Sequence, residues 1–527
     1  MLNWSTKTTS NRSVDTVLKT VGVMGIAGAM WLQGTGLLAQ EQAPSRVAPQ
    51  RPAATSPSLQ GGSGADFTQL MDLIQSETSG LWLEDGLGEG TMSEFDSGIR
   101  VDPHGVLYQA SRAEQTGRLA SLGMRARMAD LNEDMAASST LRLVSLTRLE
   151  REVARRMADG QPVVESMRHL AGLSHIQYVF VYPEAGEIVL GGPAEGWRYD
   201  EQGRAVGATS GVPTLQLDDF VTVWRTFGDG GQQIFGCSID PQPENIKALK
   251  EFAAASQQRG PLNPSAVRGW TKQLGEVLGK QNISVYGVPG NSRVARVLVE
   301  ADYRMKLIGV GKLEGGSNIP DYFELLAKDP SLASGSLDAL RWWMTMNYDE
   351  VLHSPDHQTF EVRGSAVKCQ SENQFLTDNG QRVATGKAEP VNQQFAQNFT
   401  EHYMELVKRD PIFADLKGVF DLALVSALLH HEGVDDSLGW EGGVFAANGE
   451  YQPAAYPAPR QCDSVVNHRV YNGRDIVVQV AGGVRADLLA IVKDQNLVHE
   501  SPRLDQVSNE SKAPQLPEGR WWWDAQR

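Results

Sequence analysis

The apolar positions between Asn282 and Gly311 follow first an alternating and then a helical period. Ile283 and Val285 alternate with polar residues before a Pro-Gly pair, a pattern typical of a strand that ends in a turn. The following apolar residues recur at spacings of three and four, which predicts an amphipathic helix: Val294, Val297, Leu298 and Ala301. A second extended run, Met305 to Val310, closes the stretch. Together these patterns predict a parallel β-α-β unit over residues 282–311.

A second pattern, over residues 392–431, predicts two consecutive helices. Phe395, Phe399 and Tyr403 recur at helical spacing in the first. Asp410 stands before Pro411, where its side chain can cap the start of the second helix. These helices predict an αα-hairpin at 392–431. With the hairpins predicted elsewhere, the expected fold class is α+β, multidomain, with mixed sheets.

The N-terminal region has the composition of an export signal. Basic and polar residues precede an apolar core of twelve residues, Val21 to Leu32, which is short for a bilayer span but typical of a signal peptide. Cleavage is expected after Ala39, with Gly36 as a second choice. An uncleaved membrane anchor is the alternative. No later segment contains a sufficiently long apolar run, so no further membrane span is expected.

The positions of stretches rich in Gly, Pro and polar residues predict how the chain divides into segments. The predicted segments are a signal peptide (1–39), a disordered linker (40–64), a small α+β module (65–110), a helical segment that includes a helix from Leu141 to Ala158 (111–160), a central α+β domain with the β-α-β unit (161–314), a C-terminal α+β domain with the helical hairpin (318–435), a β-rich extension (436–500) and a tail (501–527).

Charge and cysteine content exclude several classes of protein. The net charge of −16 disfavours binding to nucleic acid, because an acidic surface repels phosphate backbones. Cys237, Cys369 and Cys462 are too few for a disulfide-stapled scaffold. One bridge with one free thiol, or three buried thiols, both remain open. None of the cysteines is assigned to a metal or to nucleophilic catalysis.

Two groups of residues could ligate a metal, although a structural interpretation is preferred for both. His430, His431 and Glu432 close a predicted helix, where histidines also complement the helix dipole. His353 and His357 flank a Pro-Asp pair that predicts a surface turn. The Gly-rich segments lack a phosphate-loop motif, and no nucleophile motif is present. No catalytic residue and no cofactor is therefore predicted.

Three consecutive tryptophans, Trp521, Trp522 and Trp523, lie near the C-terminus. Exposed indoles would form a hydrophobic patch, so they either fold back onto a domain or dock on a partner. The two alternatives carry equal weight. The three residues are therefore candidate partner-binding residues.

Several long runs carry a resemblance to a known family. These are residues 167–197, LQLDD at 215–219, GCSIDP at 236–241, residues 287–309 and residues 399–429. They resemble an exported planctomycete family known only as a domain of unknown function, over about residues 66–432. The resemblance implies export and a shared fold, but no activity, cofactor or catalytic residue. Residues after about 436 fall outside it.

These observations favour an exported, non-enzymatic protein that binds or assembles with an envelope or extracellular protein. The alternative is an exported hydrolase-like or metal-dependent enzyme that uses the histidine groups.

Overall fold

Strands and helices alternate irregularly along the part of the chain that the structure describes. The computed structural model describes residues 91–95, 98–102, 133–200, 202–227, 233–259, 266–328, 337–377, 382–471 and 474–525. All of them belong to one unit of the fold, residues 61–527. The predicted signal peptide and linker, and most of the module predicted at 65–110, lie outside the described residues.

The bounds of the elements are as follows. The strands are β1 Thr91–Phe95, β2 Gly98–Asp102, β3 Ser139–Ser145, β4 Tyr178–Tyr182, β5 Glu187–Ala194, β6 Trp197–Tyr199, β7 Ala205–Gly207, β8 Ile234–Pro241, β9 Lys280–Tyr286, β10 Leu337–Asn347, β11 Glu350–His353, β12 Thr359–Arg363, β13 Ala366–Leu376, β14 Arg382–Ala384, β15 Gln461–Asp463, β16 Val466–Tyr471, β17 Arg474–Asp487, β18 Val498–Glu500 and β19 Trp522–Asp524. The helices are α1 Glu133–Ala136, α2 Leu146–Ala158, α3 Glu165–Arg168, α4 Leu217–Phe227, α5 Pro243–Gln258, α6 Val267–Leu278, α7 Arg293–Gly309, α8 Tyr322–Lys328, α9 Pro390–Glu401, α10 Tyr403–Arg409, α11 Pro411–His431, α12 Val434–Leu438, α13 Leu488–Val492 and α14 Arg503–Glu510.

Sheet A has eight strands in the order β14-β13-β10-β17-β8-β9-β15, with β16 beside the first half of β17. Strands β10 and β17 are parallel, and the other neighbours are antiparallel. Both faces of sheet A are buried. The side chains of the neighbours Val477 and Val478 point to opposite faces, and they belong to different apolar clusters. Helix α7 packs on one face, and α5 and α6 supply apolar residues to the other.

Sheet B has seven strands in the order β18-β11-β12-β4-β5-β3-β19, of which only β11 and β18 pair in parallel. Its two faces also contribute to separate apolar clusters, as the neighbours Val179 and Phe180 show. The α+β class with mixed sheets is therefore confirmed.

Both sheets draw strands from distant parts of the chain. Sheet A combines strands from 234–286 with strands from 337–487. Sheet B combines strands from 139–194, 350–363, 498–500 and 522–524. Strand pairing therefore crosses the segment boundaries predicted at 314–318 and 435–436. Local composition predicts turns and linkers, but it carries no information on which distant strands will pair.

The β-α-β unit predicted at 282–311 is wrong in its second half. Helix α7 continues to Gly309, so Met305 to Val310 form no strand. The first strand, β9, pairs antiparallel with β8 and β15. A short apolar run fits a strand and a buried helix equally well by its periodicity. Buried Met305 and Ile308 extend the apolar surface of the same helix, which decides between them.

The helix predicted from Leu141 to Ala158 needs a similar correction. Its first residues form strand β3, and helix α2 begins only at Leu146, with the Ser145 hydroxyl accepting the Arg148 backbone N–H. Both faces of sheet B are covered, so neighbouring Leu143 and Val144 are both buried. The polar alternation that would identify a strand is therefore absent here.

The two helices predicted at 392–431 are confirmed, with a break in the first at His402. The Tyr403 hydroxyl joins α10 to the start of α11 by donating to the Phe413 carbonyl oxygen at 2.7 Å. Helix α11 is buried on all sides, because every residue from Ile412 to Leu429 is less than 9% exposed. It is the central helix of the core rather than a surface element.

Candidate functional site

The structure brings residues from the two predicted metal-binding groups together. His357 Nδ1 lies 3.0 Å from Glu432 Oε2, and the rings of His353 and His357 stack with their centroids 4.0 Å apart. His353 Nδ1 lies 2.9 Å from the Ser354 carbonyl oxygen and donates to it. The contact therefore joins the β11–β12 turn to the C-terminal end of α11.

The contact between His357 and Glu432 supplies two possible ligands, fewer than the three or four that a zinc site uses. Stacked imidazole rings direct their nitrogen lone pairs side by side rather than toward one point. Within the described part of the chain, no group of three or more His, Cys, Asp or Glu side chains could hold a metal ion. His430 instead stacks on Trp224 at 4.6 Å, and His431 is exposed.

The three C-terminal tryptophans are buried within the protein itself. Trp521, Trp522 and Trp523 are 4%, 4% and 3% exposed, and β19 pairs with β3 at the edge of sheet B. The Arg142 guanidinium lies over the Trp522 ring at 4.7 Å, and Trp523 Nε1 donates to the Ser511 carbonyl oxygen. The prediction of a partner-binding tryptophan surface does not agree with this placement, because the three indoles pack into the apolar clusters on the two faces of sheet B.

The three cysteines are free and buried, as one of the two alternatives expected. Burial raises the pKa of the Cys237 and Cys369 thiols well above the ordinary range and that of Cys462 to about 11. Because the thiolate is the reactive form, these thiols are poor nucleophiles.

Buried charges at the first turn of α7 form a small polar site. The Arg293 guanidinium bonds the Asp219 carboxylate of α4 and lies 2.6 Å from Asp415 Oδ1 of α11. Among the described residues, Asp219 Oδ1 has no hydrogen-bond partner, and burial raises the pKa of Asp219 to about 7. The adjoining cavity, lined in part by Ser174 and Thr214, measures about 10 Å³. It can hold a single water molecule but no substrate.

A second buried ion pair lies further along the same helix. Lys306 Nζ is 3.0 Å from Asp302 Oδ2, and both side chains are fully buried. The Gly483 backbone N–H donates to Asp302 Oδ1 at 2.6 Å, which fixes α7 to strand β17. Gly482 is required beside this contact, because a Cβ there would lie 2.5 Å from Asp302 Oδ1. The pair therefore holds helix α7 against sheet A.

An open groove lies between β13 and α9 and is here called the β13–α9 groove. Its volume of about 480 Å³ lies in the range of ligand-binding pockets. The lining residues are Lys368, Cys369, Gln370, Ser371, Ala388, Gln393, Ala396, Gln397, Thr400 and Glu401. Small side chains leave room in its floor, and exposed amide and charged groups form its rim.

The groove lies along an edge of sheet A. One side of β13 pairs with β10 along residues 366–373. Within the described part of the chain, its other side pairs with β14 only at Gln374 to Leu376. Nearer the start of β13, on the same side as β14, the Cys369 backbone N–H donates to the Thr400 hydroxyl of α9 at 2.9 Å. A side chain therefore takes the place that a neighbouring strand would occupy.

Sequence reasoning did not predict this groove. The polar stripe Gln393, Gln397 and Glu401 can be read from the predicted helix at 392–409. The open strand edge cannot, because it depends on where β14 stops pairing and where α9 packs.

Comparison with known proteins identifies one part of the chain. Residues 237–322 match the family model described as Protein of unknown function (DUF1598). The predicted resemblance to a domain of unknown function is confirmed over this stretch. It runs from β8 to the start of α8 and contains α7 with Arg293, Asp302 and Lys306, whereas the groove lies outside it. No curated protein and no solved structure matches the chain.

None of the helices in the described ranges combines the length and apolar composition needed to span a bilayer.

Proposed function

We propose that the chain is an exported, non-enzymatic binding or assembly protein and that its ligand occupies the β13–α9 groove. The observation that carries the proposal is the groove itself: an open cavity of about 480 Å³ beside an incompletely paired strand. Groups that recognise rather than transform a ligand dominate its lining. Gln370, Gln393 and Gln397 can each donate and accept hydrogen bonds through their amides.

The chemistry of the lining supports binding over conversion. Its only thiol, Cys369, has a pKa raised by burial, so it is protonated at neutral pH. The Thr400 hydroxyl lies 2.8 Å from the Ala396 carbonyl oxygen, to which it donates, and it already accepts the Cys369 N–H. It is therefore not poised beside a base that could activate it.

The N-terminal 39 residues support the proposal that the protein acts outside the cytoplasm, on an envelope or extracellular protein. Cell fractionation followed by N-terminal sequencing tests this part. We expect a mature chain that begins near Gln40 in the extracytoplasmic fraction. An intact chain in the cytosol would contradict export without bearing on the groove.

Selection from a displayed library of random heptapeptides tests the binding function. The purified chain should enrich a family of related peptides, and Gln397→Trp should abolish the enrichment because the indole fills the groove. Gln394→Trp is the matched control, since Gln394 is exposed on the same helix but does not line the groove. Absence of enrichment, or equal enrichment by both variants, would contradict the proposed function.

A metal-dependent enzyme is the second candidate, favoured by the contact between His357 and Glu432. Elemental analysis of the purified mature chain separates the two candidates. Stoichiometric zinc that is lost in His357→Gln would support the enzyme and contradict the non-enzymatic proposal.

A further inference from the structure

We infer that the β13–α9 groove receives an extended segment of another protein, which adds to sheet A as a strand beside β13. The inference rests on the proposed function and specifies its ligand. Extended peptides commonly bind at exposed sheet edges, where main-chain hydrogen bonds supply affinity and alternate side chains supply specificity.

The direction of the backbone groups of β13 supports this ligand. Residues of an antiparallel strand alternately direct their N–H and C=O groups toward one neighbour and the other. The Cys369 N–H points away from β10, because it donates to Thr400 on the other side. Val367 and Ser371, two residues before and after, have the same direction by this alternation. Of these outward positions, Cys369 and Ser371 line the groove, whereas the Val367 carbonyl oxygen already accepts the Ser365 hydroxyl.

Main-chain pairing already exists on this side of β13 and stops where the groove begins. The Asn373 N–H donates to the Lys387 carbonyl oxygen at 2.8 Å, just beyond the β14 pairing. The chain then turns away into α9, which begins at Pro390. A bound strand would continue the existing row of main-chain contacts from Asn373 through Ser371 to Cys369.

The size of the groove fits a short strand. The β13 residues that line the groove, Lys368 to Ser371, extend over about 10 Å at about 3.3 Å per residue. A strand residue occupies about 160 Å³, from its rise, the spacing of about 4.8 Å between strands and a sheet thickness of about 10 Å. The volume of about 480 Å³ therefore holds about three residues fully, with further residues at its open ends.

The two sides of β13 predict the composition of the ligand. Cys369 is buried against Met305 of α7, with the two sulfur atoms 3.5 Å apart, and Ala396 adds apolar surface on that side. Lys368 and Gln370 project from the opposite face toward solvent. We therefore expect a segment in which small apolar residues alternate with polar ones.

Backbone methylation of an enriched heptapeptide tests the inference. N-methylation of every second residue should weaken binding at least tenfold in one register and little in the other, because only one set of N–H groups faces β13. Binding that is unaffected in both registers would overturn the strand while leaving the proposed function intact. Failure of any peptide to bind would instead overturn the proposed function.

Thr400→Val provides a second measurement on the folded protein. A bound strand must displace the Thr400 hydroxyl from the Cys369 N–H, so its removal should strengthen peptide binding about fivefold. Unchanged or weaker binding would count against displacement of the Thr400 hydroxyl by a bound strand.

The oligomeric state in solution identifies the occupant. A dimer that Gln397→Trp dissociates and Gln394→Trp does not would show that a second copy of the chain, rather than another protein, is the occupant.

Discussion

The two ends of helix α7 are both anchored by buried charges, but the charges are balanced at only one end. At the C-terminal half, one lysine meets one carboxylate, and both are fully buried. At the first turn, Arg293 meets two carboxylates, from α4 and α11, and is 18% exposed. The first anchor joins α7 to sheet A, and the second joins it to two helices.

This difference separates a fixed ion pair from a group that can titrate. The acceptor atoms of Asp302 face Lys306 and the Gly483 N–H. Burial raises the pKa of both Asp219 and Asp302, but for Asp219 the second carboxylate, Asp415, adds repulsion. The pKa of Asp219 therefore reaches about 7. An unbalanced cluster of this kind makes the stability of the fold depend on pH near neutrality.

The largest effect is expected from Lys306→Met, which leaves the Asp302 carboxylate buried without its cation. We expect a loss of about 3–5 kcal/mol in the free energy of unfolding, measured by urea denaturation. The double variant Asp302→Asn, Lys306→Met is the control and should lose about 1 kcal/mol or less, because both charges are gone. An equal loss in both variants would show that packing, rather than the unpaired charge, sets the cost.

Arg293→Met should have the next largest effect, and this effect should depend on pH. At pH 8 we expect a loss of about 2–4 kcal/mol, because two carboxylates then face each other without their cation. At pH 5 the loss should be smaller, since either carboxylate can bind a proton. Urea denaturation at both pH values measures the difference. A loss independent of pH would contradict the assignment of the unbalanced charge to this end.

Asp219→Asn isolates the titrating group. A carboxyl whose pKa is about 7 when folded and about 3.9 when unfolded binds its proton more tightly in the folded state. Its contribution to stability is present below about pH 3.9 and is lost as the pH rises toward 7. Relative to the variant, the native protein should therefore gain about 2 kcal/mol between pH 7 and 5. Parallel stability curves would refute the raised pKa.

The contribution of His175 to the stability of the fold should change in the opposite direction: it should decrease as the pH falls. Burial first, and then Lys417, lower the pKa of His175 to about 4. A histidine with an ordinary pKa of about 6.5 when unfolded then destabilises the fold as the pH falls from 6.5 toward 4. His175→Gln should remove about 1–2 kcal/mol of this acid-induced loss between pH 6.5 and 5. Thermal unfolding across this range would measure it, and an unchanged profile would contradict the assignment.

Local patterns predicted many elements correctly because their periods are short. Helix α9 follows from the helical spacing of Phe395 and Phe399, and the start of α11 follows from the Asp410 cap before Pro411. The errors at Met305–Val310 and Leu141–Ser145 lie where apolar residues are buried on more than one side. Burial of this kind removes the polar positions that distinguish a helix from a strand.

The candidate site was less predictable than the fold. His357 and Glu432 were each singled out from the sequence, but their contact required the turn after β11 to meet the end of α11. The tryptophans at 521–523 and the groove show the same limit. In each case a residue's environment depends on a segment more than seventy residues away or on the point where a strand stops pairing.

The amino-acid sequence by itself determined the α+β class, the start of α11, the acidic charge and the resemblance to a family of unknown function. These properties depend on residue types and on spacings of a few residues. Only the tertiary structure decided which strands share a sheet, that α7 is anchored by unequal charges, and that β13 has an open edge beside α9. Such properties arise from contacts between distant segments, whose free energy depends on three-dimensional packing and not on neighbours in the chain.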